Sequence, residues 1–105
     1  MDLVAAIRHA FTKFFPPGFE EVTVSRQIAE HPGISYQDLL DSYGKGDLSL
    51  VIGHLVYNRY GCFRKFMKDG EDQSSVLILK DRTGNTVRYR LRAKAESVLR
   101  DIGII

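Results

Sequence analysis

The sequence predicts an α+β fold, in which helices pack on a small antiparallel β-hairpin and further helices lie at both ends of the chain. Three observations support this prediction. Apolar residues recur at three- and four-residue spacing through most of residues 2–60, as in amphipathic helices. The spacing changes to two between residues 76 and 92, as in paired strands. Helical spacing then returns over residues 93–101.

Length and composition predict a single domain, residues 1–105, because domains average about 150 residues. Hydrophobic residues make up 44% and charged residues 27% of the chain, which excludes a disordered or collagen-like protein. One cysteine, Cys62, allows no internal disulfide and favours a reducing, cytoplasmic location. No apolar run approaches the roughly 20 residues that span a bilayer, so we expect no membrane partner.

Proline bounds the first two predicted helices. The first runs from about Asp2 to Phe15 with an apolar stripe along one side, and Pro16 stops it because proline supplies no amide hydrogen. The second runs from about Glu21 to His31. The first stripe, which includes Phe14 and Phe15, exceeds what one small core needs. With the apolar tail Ile104–Ile105, it predicts a homodimer.

Capping side chains begin the next two predicted helices. Ser35 caps a helix from Tyr36 to about Ser42, and Asp47 caps a helix over residues 47–60. Five residues form the inner face of the second of these helices: Leu48, Val51, Ile52, Leu55 and Val56. Its outward face shows Ser49, Leu50, Gly53, His54 and Tyr57, with Asn58 at the edge.

Three strands and a last helix are predicted beyond Gly61. Cys62 to Lys68 is the first strand, and residues 76–80 and 86–92 form a hairpin over residues 76–92. We expect Asp81 to pair with Asn85 across a three-residue loop, because Leu77 and Leu79 then lie on an apolar face with Val87 and Tyr89. This register places three arginines together on the other face: Arg88, Arg90 and Arg92. The final helix runs from about Ala93 to Asp101.

Charge is distributed unevenly along the chain. Residues 1–58 carry four basic and seven acidic residues, whereas residues 59–105 carry eleven basic and six acidic residues. Between Lys80 and Lys94 there are six basic residues and one acidic residue, Asp81. A stripe of this kind favours a polyanionic partner.

Two segments resemble the winged-helix DNA-binding family. Residues 28–40, IAEHPGISYQDLL, resemble its first helix, Pro-Gly turn and second helix. Residues 54–65, HLVYNRYGCFRK, are similar to the end of its third helix, where a glycine turns the chain into the first wing strand. Over residues 22–92, the resemblance implies a winged-helix fold that binds double-stranded DNA. It implies helix 47–60 in the major groove and hairpin 76–92 as the wing.

The resemblance and the charge pattern together give a set of expected DNA contacts. These are Lys45, Ser49, His54, Tyr57, Asn58, Arg59, Arg64, Lys65, Arg82, Thr83, Asn85, Arg88 and Arg90. The outward face of helix 47–60 lacks a central arginine or lysine, although these are the commonest contacts to guanine. We therefore expect affinity to come mainly from phosphate contacts.

The sequence predicts a small transcriptional regulator or nucleoprotein accessory factor. Two alternatives are a protein–protein interaction module on the same scaffold, with no base-specific DNA binding, and an RNA-binding protein that uses the hairpin. We expect no enzyme and no cofactor, because there is no glycine-rich phosphate loop and no nucleophile motif. We expect no metal site, because Cys62 and the three histidines lack the close spacing of zinc ligands.

Overall fold

A computed structural model describes residues 1–44 and 46–105, and it confirms the α+β class. Within that part of the chain there are six α-helices and three short strands. In order they are α1 (Leu3–His9), α2 (Phe19–Glu30), β1 (Ile34–Ser35), α3 (Tyr36–Tyr43), α4 (Leu48–Tyr57), α5 (Tyr60–Phe63), β2 (Ile78–Thr83), β3 (Thr86–Leu91) and α6 (Ala93–Asp101). A π-helical segment, Ala10–Phe14, extends α1, and 3-10 turns cover Arg64–Phe66 and Gln73–Val76.

The capping residues lie where the sequence predicts them. The Ser35 side chain accepts a hydrogen bond from the Asp38 amide at 3.1 Å. Asp47 accepts one from the Leu50 amide, also at 3.1 Å. Such caps satisfy amides that have no partner in the first turn of a helix. Both helix starts are therefore confirmed.

The inner face of α4 forms the centre of the core. All five residues predicted to face inward are buried, and α4 packs against α2 and the turn Gln73–Val76. The first helix buries only part of its apolar stripe. Ile7 and Phe11 are buried, but Phe14 and Phe15 are about half exposed. At the other end of the chain, Ile104 is buried against the protein's own core.

The end of the first helix widens into π-helical geometry. The Phe15 amide donates to the Ala10 carbonyl, five residues earlier, at 3.0 Å. The ring of Phe14 then lies beside Gly61, where an added Cβ would be 3.4 Å from the Phe14 Cζ atom. Any side chain at position 61 would have to displace this ring slightly.

The strand predicted over Cys62–Lys68 is wrong. Helix α5 and the turn Arg64–Phe66 occupy this segment. The Arg59 carbonyl accepts hydrogen bonds from the Cys62 and Phe63 amides, at 2.9 and 3.3 Å, which closes a helical turn. Phe63 is fully buried and Cys62 is half-buried. Two neighbouring residues that both face inward do not fit the alternation of a strand.

The sheet is antiparallel, and β3 is its central strand, between β1 and β2. The predicted hairpin register is wrong. Thr83 pairs with Thr86 across the two-residue turn Gly84–Asn85, and Leu79 lies opposite Arg90 instead of Val87. Gly84 has a φ of 63°, as in turns with glycine at the first central position.

Burial explains the observed register. Ile78 lies opposite Leu91 on the core side, where both side chains are buried. Leu77 is also buried, but it precedes the strand, and its carbonyl accepts from the Arg92 amide at 2.8 Å. Leu77 therefore needs no place on the apolar face of the hairpin. Leu79 takes the outer face and is 41% exposed.

Candidate nucleic-acid interface

The outer face of the hairpin presents two arginines from β3. Arg88 and Arg90 are both exposed and project to the same side. Arg88 lies opposite Asp81 on one side and Ser35 on the other, and its Nη1 atom donates to the Gly33 carbonyl at 3.2 Å. The Arg90 side chain forms no ion pair in the described part of the chain. Arg90 is therefore the freer of the two cations.

Arg92 does not join this pair, contrary to the prediction. It lies just beyond β3 and precedes α6. Its side chain is half-buried, and Nε donates to the Ser75 carbonyl. The predicted face of three arginines therefore contains two.

The hairpin tip carries three of the expected contact residues: Arg82, Thr83 and Asn85. All three are exposed. The Thr83 hydroxyl donates to the Asp81 carboxylate at 2.8 Å. Arg82 pairs with Val87, so it projects from the face opposite to Arg88 and Arg90. The hairpin consequently carries exposed arginines on both faces, with Arg82 near the tip on one face and Arg88 and Arg90 on the other.

Lys80 lies on the core side of the hairpin and bonds to Asp72 at 2.5 Å. Partial burial acts to raise the Asp72 pKa, but hydrogen bonds from Lys80 and Ser74 outweigh it and lower the pKa to about 2. Asp72 is thus ionised at neutral pH and balances the charge of Lys80. This lysine contributes little to the positive field of the hairpin.

The outward face of α4 is mainly apolar. Ser49, Leu50 and Tyr57 are exposed, Leu50 by 53% and Tyr57 by 60%. His54 is half-buried, and its ring centroid is 6.0 Å from that of Tyr57. Asn58 is half-buried at the end of the helix. None of the described residues on this face is a cation.

An open cavity of about 480 Å³ borders the same face. His54 and Asn58 line it together with Phe15 and Phe19 from the region before and at the start of α2. Glu20 also lines it. Apolar and acidic groups therefore surround the residues expected to contact bases, and this environment does not attract phosphate.

The expectation that Arg59 contacts phosphate does not hold. Arg59 is fully buried, and its guanidinium donates two hydrogen bonds to the Glu21 carboxylate, at 3.0 and 2.9 Å. Its Nε atom donates to the Phe15 carbonyl at 2.9 Å. Its guanidinium carbon also lies 4.0 Å from the Phe11 ring centroid. Every side of this guanidinium is occupied within the protein.

Arg64 and Lys65 follow α5 and are exposed. They border a second open cavity, of about 600 Å³, beside the end of the first helix. The Lys65 Nζ atom lies 5.1 Å from the Phe66 ring centroid. Lys45, also among the expected contacts, lies outside the described residues.

Residues 1–44 and 46–105 contain neither a cluster of metal ligands nor a membrane-spanning helix. No group of three or more histidine, cysteine or acidic residues is placed to hold a metal ion there. No described helix is long and apolar enough to cross a membrane. Burial raises the pKa of the Cys62 thiol, and the nearby Arg59 offsets this effect only in part.

No family model, curated protein or solved structure matches the chain. Two surfaces of this chain remain as candidates for binding. These are the arginine pair of β3 and the apolar face of α4, which the cavity extends to Phe15 and Phe19.

Sequence reasoning missed the contribution of Phe15 and Phe19. Phe15 belongs to the apolar stripe that the sequence assigns to a homodimer and not to the outer face of α4, and Phe19 lies in a stretch with no apolar period. The adjacent Pro16-Pro17-Gly18 was the available signal, because such a break turns the chain and can leave its neighbours exposed.

Proposed function

We propose that this protein binds double-stranded DNA through the hairpin β2–β3, as a small cytoplasmic regulator or nucleoprotein accessory factor. The observation that carries the proposal is the exposed pair Arg88 and Arg90 on one face of β3. Residues two apart on a strand lie about 7 Å apart. Phosphates of one DNA strand follow one another about every 3.4 Å along the helix axis, so two long arginine side chains at this spacing can reach phosphates close together on one strand. The pair therefore suits neighbouring phosphates.

The order of elements supports a winged-helix interpretation. Helices α2, α3 and α4 are followed by the hairpin, and β1 joins the sheet between α2 and α3. In this interpretation α4 enters the major groove and the hairpin acts as the wing. The outer face of α4 lacks a cation among its described residues, so we assign it the smaller share of the affinity.

A salt titration tests the proposal. Wild type should bind a random-sequence duplex with an affinity that falls steeply as salt rises. Replacing both arginines, Arg88→Gln with Arg90→Gln, removes two phosphate contacts, and the slope of log affinity against log salt should become shallower by about 1.8. The matched control is Lys94→Gln with Arg100→Gln, which removes two exposed cations from α6.

The two double variants carry the same net charge, so a general charge effect would change both slopes equally. That outcome, or wild-type binding that does not depend on salt, contradicts the hairpin as the DNA-binding surface. Asn58→Ala adds a test of α4. An asparagine that pairs with adenine contributes about 1–3 kcal/mol of discrimination. Its loss should weaken binding to a selected site and leave random-sequence binding unchanged.

The outer face of α4 supports a second candidate, protein docking by self-association. Leu50 and Tyr57 are more than half exposed, and the adjoining Phe19 is 78% exposed. Exposed apolar side chains that lie close together commonly mark a protein interface. A homodimer through this face should sediment at twice 11.9 kDa at tens of micromolar protein. Leu50→Gln with Tyr57→Gln should then sediment as a monomer, and a wild type that is already monomeric removes this candidate.

A further inference from the structure

The larger of the two cavities described above lies between the first helix and α5. Its volume is about 600 Å³, within the roughly 300–1,000 Å³ of small-molecule sites. Ala6 and Phe14 line it from the first helix, and Gly61 and Cys62 line it from α5. The two helices thus leave an apolar floor between them that is open to solvent.

The aromatic wall of this cavity depends on two backbone features. The π-helical turn places Phe14 beside α5, and Gly61 leaves room for its ring. His9 adds a second ring, whose centroid is 6.3 Å from that of Phe14. Phe14 is 50% exposed, so a large part of its surface remains available for contact. Insertions of π-helical geometry occur frequently at functional sites.

The border of the cavity is positively charged. Arg64 and Lys65 lie there side by side, and no acidic residue is among the described residues that line the cavity. Arg64 forms no ion pair in residues 1–44 and 46–105. Cys62 stays a neutral thiol near pH 7, because burial raises its pKa, and so it adds no negative charge to the floor.

Two other cavities among the described residues lack that combination. Glu20 lines the cavity beside α4. A third cavity, beside the hairpin, is lined by the acidic residues Glu71 and Asp72 as well as by cations. A bound anion would be repelled there. An apolar floor with only cations at its border therefore distinguishes the cavity between the first helix and α5 from these two.

We propose that this cavity binds a small organic monoanion, with a flat apolar body against Phe14 and a carboxylate between Arg64 and Lys65. The apolar body would exclude water from the floor, and the carboxylate would accept hydrogen bonds from the guanidinium and the ammonium. Hydrogen bonds of this charged kind are stronger than neutral ones. The site is separate from the hairpin and does not depend on DNA binding.

The test uses 2-naphthoate as the probe, followed by its own fluorescence anisotropy in the absence of DNA. Wild type should bind it saturably with one site per chain. Arg64→Gln with Lys65→Gln should weaken binding about tenfold, the loss expected for a charged hydrogen bond. Phe14→Ala should weaken it by a similar factor, since it removes the aromatic wall. Lys94→Gln with Arg100→Gln is the control and should bind as wild type does.

A neutral analogue, 2-naphthalenemethanol, separates the charge from the apolar body. It should bind wild type about tenfold more weakly than 2-naphthoate does, and the cation double variant should not alter its binding. The substituted side chains are exposed, and circular dichroism of each variant verifies the fold. Lack of saturable 2-naphthoate binding up to millimolar probe would overturn the proposal. Equal binding of the two probes, or equal binding by wild type and the cation double variant, would do the same. Because no DNA is present, none of these outcomes bears on the hairpin.

Discussion

Arg59 and Glu21 form a two-pronged ion pair inside the protein, with nitrogen–oxygen distances of 3.0 and 2.9 Å. Arg59 also donates to the carbonyls of Phe15 and Leu55, both at 2.9 Å. One guanidinium therefore joins the end of the first helix, the start of α2 and the last turn of α4. Glu21 also accepts from the Gly18 amide at 3.3 Å, so it caps α2 as well.

Removal of the Glu21 charge should destabilise the protein strongly. Glu21→Gln leaves the Arg59 charge buried without a counter-ion, and breaking a buried pair in this way costs about 3–5 kcal/mol. Urea denaturation should record this loss in the free energy of unfolding. Glu30→Gln makes the same chemical change at an exposed site on the same helix and should stay within about 0.5 kcal/mol of wild type. Equal stability of the two variants would contradict the structural role of the pair.

Two glycine substitutions should have opposite effects on stability. Gly84 has a φ of 63° in the hairpin turn, a conformation that costs other residues about 1–3 kcal/mol, so Gly84→Ala should destabilise the protein. Gly53 lies inside α4, and an added Cβ meets nothing within 4 Å. Gly53→Ala should stabilise by about 0.5–1 kcal/mol, because alanine restricts the unfolded chain. Thermal melts test the two sites separately. A Gly84→Ala variant that melts at or above the wild-type temperature would contradict the turn, and a Gly53→Ala variant that melts below it would contradict the gain in the helix.

The contribution of Asp72 should depend on pH. Its pKa is lowered from 3.8 to about 2 in the folded protein, so ionised Asp72 stabilises the fold above the unfolded pKa. This stabilisation declines as pH falls from about 4 towards 2. The side chain is 45% exposed, and after allowance for solvent screening the effect is about 1 kcal/mol. The stability difference between wild type and Asp72→Asn should therefore shrink between pH 7 and pH 3 in urea denaturation, and a constant difference would contradict the assignment.

The Cys62 thiol should react slowly in the folded protein. Burial raises its pKa, so a smaller fraction is thiolate at neutral pH, and the thiolate is the reactive form. Alkylation by iodoacetamide at neutral pH should be slower than that of free cysteine and should accelerate when the protein is unfolded in urea. A native rate above that of free cysteine would indicate an activated thiol instead.

The structure confirms the predictions that depend on residues close together in the sequence. The caps at Ser35 and Asp47, and the buried face of α4, depend on residues a few positions apart. Predictions that depend on contacts between residues far apart in the sequence were wrong. The side-chain partner of Arg59 is 38 positions away, and no pattern in either segment marks the two as a pair. Arg59 lies next to Asn58 in a polar stretch, and such a cation normally faces solvent.

The hairpin register shows the same limit. The alternation of apolar and charged residues along β3 correctly predicts that Val87 and Tyr89 face the core, since both belong to one strand. Which residues oppose them depends on where β2 begins, and this in turn depends on Leu77 being buried in the turn before the strand. The 3-10 turn Gln73–Val76 has no clear sequence signal. Without that signal, alternation assigns Leu77 to the strand and shifts the predicted pairing.

The strand order leaves β2 at the edge of the sheet, with one row of backbone amides and carbonyls unpaired by any strand among the described residues. An edge of this kind can recruit the same strand of another copy and lead to aggregation. Lys80, Asp81 and Arg82 follow one another along this strand, and charged residues at an edge oppose such pairing. These three charges therefore oppose edge-to-edge aggregation whatever ligand the hairpin binds, and replacing them with neutral residues would lower the solubility of the protein.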